Sequence, residues 1–297
     1  MRFWIRVFAV AFGTAALIGA AQLGVAYGLE AIRFDRSFEA AQNDWNIHLT
    51  WIAWFGILAV IGGTAFAMSH GKMLARRIGI ASRHTDGAGV TLRLIAAAAA
   101  GLGALLAMLP LTVYPAAYAK VTAQVAMNAP LSMALAIGPA IVAAMVLAAV
   151  TVANRPLSTS IVAFTVAGWL LAIISVVNTM PVQVRLYQDP VRLGVLDIGA
   201  LQPAPRAYFT MPVLALVLGA AIAFVSRMRR HSRVVTAFSG ATGPLAIALA
   251  YLMAGPGITS ELTNQAEAYA GAMIAVVAGL VPTVLVALLP PRKKEVL

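Results

Sequence analysis

Cysteine is absent from this chain of 297 residues, and only ten of its residues are acidic. Without cysteine there are no disulfides, zinc–thiolate sites, iron–sulfur clusters or Cys nucleophiles. Charge is scarce too. Charged residues make up 10% of the chain, against roughly 25% in a soluble domain, which is too little to wet a globule of this size. HExxH, GxSxG and a Walker-type phosphate loop are all missing, so no cofactor is expected and the weak enzyme reading has no motif behind it. No Asp, Glu, Lys, Arg or His falls near the middle of any long apolar run. Such residues mark proton relays, ion paths and voltage sensors. Their absence argues against proton-coupled transport and against acid–base catalysis within the membrane.

What is present is apolar. Hydrophobic residues make up 61% of the chain and mean hydropathy is +0.89. They come in runs of about 20, the length that crosses a hydrocarbon core roughly 30 Å thick. Eight runs are read as spans: 3–27, 47–68, 94–114, 131–153, 160–180, 208–226, 234–254 and 268–289. Backbone groups in lipid must be satisfied within the segment, so each is expected to be a helix. A β-barrel needs alternating segments of about ten residues, and 96–109 does not alternate. The sequence therefore predicts an all-α, polytopic bundle of about eight transmembrane helices forming one domain, 1–297.

The basic residues are placed on one side. Arg2, Arg6, Lys72, Arg76, Arg77, Arg83, Arg93, Arg155, Arg227, Arg229, Arg230, Arg233, Arg292, Lys293 and Lys294 share it with only Asp86 and Glu295, a net of +13. The other side nets −2. The positive-inside rule then places both termini in the cytoplasm of a multi-pass cell-membrane protein. A cleaved signal peptide is the competing reading of the first span, but its apolar stretch runs to Tyr27, beyond an h-region of 7–15 residues. The pI near 10.7 does not point to nucleic acid, because no basic stretch is interleaved with aromatics. The expected partner is instead the bilayer, with anionic lipid at the inner face near Arg76, Arg77, Arg229 and Arg230. Docking of an acidic cytoplasmic protein such as an ATPase is the alternative for the same residues.

Small residues spaced four apart, as in Ala15/Gly19, Ala16/Ala20 and Ala20/Gly24, suit close helix packing or a dimer seam. Prolines at 110, 139, 244 and 282 fall in the third, fourth, seventh and eighth spans. Basic loops after the second and sixth spans suggest a four-plus-four duplication, although those prolines lie at different depths.

The candidate sites are few. Asp44, His48, Trp51 and Phe55 stand at i, i+4, i+7 and i+11, one face of the second helix as it emerges. They read either as a capped helix with Trp45, Trp51 and Trp54 in an interfacial aromatic belt, or as a polar mouth binding a cation or ligand. Asn178 joins Asp44, His48 and Trp51 as a candidate ligand contact, since a polar side chain within a span either bridges helices or lines a path. No third metal ligand accompanies Asp44 and His48, so no metal is expected. The outer segment 183–208 is too apolar to be a solvated loop. It is expected to pack as a cap, with Leu193 and Leu196 as candidate partner contacts.

Span number, proline-bearing helices and the lack of any other domain favour a transport-type protein, a permease or permease subunit for a small or amphipathic substrate. The alternative is a non-transporting scaffold, assembly or sensory subunit of a larger complex. A membrane enzyme working through His48 and outer carboxylates is a third, weaker reading.

Overall fold

The computed structural model describes residues 2–34, 37–38, 44–77, 85–121, 128–179, 191–197, 206–255 and 263–290. Nine helices lie among them: α1 (Arg2–Gly28), α2 (Asp44–Arg77), α3 (Thr85–Ala116), α4 (Ala129–Thr151), α5 (Arg155–Thr179), α6 (Arg206–Met228), α7 (Arg233–Phe238), α8 (Thr242–Ala254) and α9 (Thr263–Leu288). Two short strands, β1 (Ser37–Phe38) and β2 (Lys120–Val121), pair in parallel and tie the α1–α2 connection to the α3–α4 connection. Seven of the helices are long and apolar enough to cross a membrane. Most extend past the apolar run that predicts them, because a helix can continue into the headgroup region once its hydrophobic part is spent.

The seventh expected span, 234–254, is two helices. α8 has 13 residues, about 20 Å at 1.5 Å per residue, which alone is shorter than the hydrocarbon core. The break has a local cause. Pro244 has no N–H to offer the carbonyl of Gly240, so a continuous helix would leave that carbonyl without its partner. The polar groups exposed by the break are met by neighbours. Thr283 Oγ1 donates to Ala237 O at 2.6 Å, and Thr242 Oγ1 donates to Leu157 O at 3.0 Å. The amide of Gly243 donates to Ser160 Oγ at 3.1 Å. Backbones also touch here, since a Cβ on Gly240 would meet the carbonyl of Gly279, and the reverse holds for Gly279. By contrast, Pro110, Pro139 and Pro282 are accommodated inside α3, α4 and α9.

The helices form two groups, α1–α4 and α5–α9. In the first, α1 packs on α2 and α3, α4 packs on the same two, and α2 touches α3. The second repeats this pattern: α5 packs on α6 and α8, α9 packs on α6 and on α7–α8, and α6 touches α7. α8 joins the groups by packing on α2 and α4. The starts of α1, α3, α5 and α7 lie at one end, called here the basic end. The starts of α2, α4, α6 and α9 lie at the far end.

Lipid is as apolar as leucine, so burial of small residues rather than hydrophobicity drives the helices together. Ala11, Ala15 and Gly19 are buried on α1, with Ala15 lying against Gly63 of α2. This is intramolecular packing, whereas Gly24 of the neighbouring stripe has open space beside it. α2 is the most enclosed membrane helix. Trp45, Trp51 and Trp54 are all buried, which corrects the expectation of an interfacial belt. Trp45 donates to Ser132 Oγ of α4 at 2.9 Å. Trp51, Trp54, Phe55 and Trp169 form one aromatic cluster between α2 and α5, with Phe55 and Trp169 stacked at 5.6 Å. The tryptophans face the bundle because α2 is surrounded by α1, α3, α4 and α8.

Candidate functional site

At the far end, residues 191–197 descend into the junction between the two groups. Their main chain is held by side chains from four helices, Thr210 Oγ1 of α6 accepting from the Leu196 amide at 3.5 Å. Trp51 Nε1 of α2 donates to Val191 O at 2.7 Å, and Tyr251 OH of α8 donates to Leu193 O at 2.7 Å. Ser175 Oγ of α5 donates to Val195 O at 3.4 Å and accepts from the amide of Asp197 at 3.0 Å. Alternation explains the pattern. Val191, Leu193 and Val195 are buried, so their carbonyls have left water and need the donors that the helices supply. Gly194 turns the segment with φ +74, and a Cβ there would meet Met211 Sδ at 2.6 Å. The expected packing of this apolar stretch is thus seen for 191–197, while the remainder of 183–205 lies outside the described residues. Leu193 is buried and Leu196 is half-buried.

An ion pair closes the segment. Arg192 Nη2 meets Asp197 Oδ1 at 2.6 Å, with side chains 17% and 15% exposed. Arg192 Nε reaches Asp197 Oδ2 at 3.4 Å, making the contact two-pronged. Burial lowers the pKa of the Arg192 guanidinium, but the Asp197 hydrogen bond and charge, aided by Tyr251 and Glu267, outweigh it, so the pKa is raised. Arg192 is a permanent cation paired with the Asp197 carboxylate.

In the first turn of α9, Gln265 is fully buried. Its Nε2 donates to Thr50 Oγ1 at 2.8 Å, to Gly255 O at 3.3 Å and to Asn46 O at 3.5 Å. Those three oxygens fix which way the amide points, and they leave Gln265 Oε1 buried without a hydrogen-bond partner. An unmet buried acceptor costs about 1–3 kcal/mol.

The sequence-predicted residues separate here. His48 is 1% exposed, packed against the rings of Phe34 and Phe38 at 5.9 and 5.3 Å. Both phenylalanines belong to the described part of the α1–α2 connection, so side chains of that connection cover His48. Trp51, one turn deeper, anchors Val191. Asn178 is exposed and donates to Ile174 O of its own helix at 2.7 Å, so it is not brought to the junction by any described bond. α2 begins at Asp44, and its side chain lies outside the described residues, as do those of Arg76 and Arg77. Arg229 and Arg230 are exposed at the end of α6. Sequence reasoning missed Tyr251 and Gln265. Each is a lone hydrogen-bonding side chain near the end of an apolar helix, and Gln265 falls just before the expected span 268–289.

Other polar side chains within the spans act as glue. Thr64, Thr112 and Thr165 return bonds to their own helices at 2.7, 2.8 and 2.7 Å. Gln22 reaches across to Phe55 O at 3.4 Å.

A bundle of long apolar helices with an enclosed polar junction at one end defines a multi-span α-helical membrane protein. The chain matches no family model, no curated protein and no solved structure.

Proposed function

We propose that this chain is a transport-type membrane protein, a permease or permease subunit for a small or amphipathic substrate, working without proton coupling. One observation carries the reading: a broken crossing, α7–α8, sits where two four-crossing groups with the same pairing pattern meet. Transporters are commonly built from structural repeats, and their substrate sites lie at the repeat interface beside discontinuous helices. Irregular backbone at membrane depth is tolerated where protein buries it or where it lines a path. Both groups start at the same end, so a duplication here is of the parallel kind. Segment 191–197 closes the far end of the junction, and its carbonyl anchors are the contacts that opening would break. The basic end is the cytoplasmic one in this reading, and the host is the cell membrane.

The test uses the full chain in proteoliposomes, with efflux of a panel of small amphipathic solutes followed. Flux that survives collapse of the proton gradient, with membrane potential held, supports the reading. Flux abolished by that collapse overturns the uncoupled mechanism. If no solute moves and the chain purifies within a multi-subunit assembly lacking an ATPase, the scaffold reading replaces it.

A further inference from the structure

We infer that the corner between α6 and α7 at the basic end is a binding site for the phosphodiester headgroup of an anionic phospholipid. The arginines at this end divide into two kinds. Arg93 and Arg227 are occupied with helix C-termini: Arg93 Nη1 donates to Ala149 O of α4 at 3.2 Å, and Arg227 Nη1 donates to Val286 O of α9 at 2.7 Å. Arg229, Arg230 and Arg233 are exposed within five residues, with no described hydrogen bond or ion pair from their side chains. They are cations left over after the fold is satisfied.

The backbone adds an independent observation. α6 ends in a Schellman turn, in which His231 N donates to Ser226 O at 3.1 Å and Arg230 N donates to Arg227 O at 3.0 Å. The residue in the left-handed position of such a turn is usually glycine, yet here it is Arg230, at φ 59. A side chain in that conformation carries a cost that glycine avoids. Strain kept at an exposed position points to a use for the side chain.

The surroundings select lipid over a soluble anion. Met228, Val234 and Phe238 are 61%, 68% and 56% exposed, so the three guanidiniums sit among apolar side chains that face outward. Phosphate on the arginines with acyl chains over Val234 and Phe238 satisfies both halves of the corner. Free phosphate or an acidic protein surface would leave the apolar half bare.

The experiment titrates the full chain in mixed micelles with acyl-labelled phosphatidylglycerol or phosphatidylcholine. Native protein should bind phosphatidylglycerol more tightly by about five-fold per engaged guanidinium. Arg230→Gly relieves the strained turn, so it should hold or raise the melting temperature while lowering phosphatidylglycerol affinity. The triple change Arg229→Gln, Arg230→Gly, Arg233→Gln should reduce affinity to that for phosphatidylcholine. Phe238→Ser should weaken both lipids. Equal binding of the two lipids by native protein overturns the proposal and leaves the corner to a protein partner. Full displacement of the labelled lipid by millimolar inorganic phosphate also overturns it, because the site would then read phosphate alone.

Discussion

The hydroxyl of Tyr251 donates to the main-chain carbonyl of Leu193 at 2.7 Å across 58 residues of chain. One bond thereby joins the end of α8 to segment 191–197. The carbonyl is buried, so its loss of water is offset only while the phenol is present.

Tyr251→Phe removes that donor and leaves the rest of the ring in place. It should lower stability by about 1–3 kcal/mol, the cost of an unmet buried carbonyl. Thermal unfolding in detergent measures the loss. Leu193→Ser should cost more than Leu196→Ser, since only Leu193 is fully buried. Equal effects of the two serines would mean that the segment is not packed as described.

Asp197→Asn should destabilise by about 2–4 kcal/mol, below the cost of breaking a fully buried pair because both side chains keep some exposure. Replacing both partners, Arg192→Met with Asp197→Leu, should recover most of it. A double variant no better than the single one would show that Arg192 is held chiefly by other groups.

Gly240→Ala and Gly279→Ala should each destabilise by about 1–3 kcal/mol or more, as the added methyl meets backbone that cannot move aside. Gly24→Ala, with nothing beside it, should be neutral or stabilise by about 0.5–1 kcal/mol. Comparable melting temperatures for all three would refute the backbone contact between α9 and the break.

Arg227→Gln should lower stability by roughly 1–2 kcal/mol, because its guanidinium meets the carbonyl of Val286 in the last turn of α9 and those of Leu289 and Pro290 just beyond it. Hydrogen exchange at the end of α9 should quicken more than exchange in α1. A uniform change would assign the effect to global unfolding.

The absence of native cysteine makes topology directly testable. In intact cells, a Ser82→Cys variant should be shielded from an impermeant maleimide and a Gln188→Cys variant should react. Labelling of both from outside would overturn this topology.

Composition and run length alone determined that this is a helical, multi-span membrane protein, because lipid forces every backbone group to be satisfied within its own apolar segment. The apolar excess of 183–208 likewise predicts a packed segment, and packing is seen for 191–197 of it. Tertiary structure decided the rest. Whether a tryptophan faces lipid or protein depends on which helices surround it, so Trp51 and Trp54 read as a belt in one dimension and form a core in three. His48 gives no sign in the sequence of the rings of Phe34 and Phe38 that pack against it. The break before α8 brings Gly240 against Gly279 of α9, a contact between segments far apart in the chain. Gln265 and Tyr251 gave no periodic or charge signal, and each gains its role only from carbonyls and hydroxyls supplied by other elements.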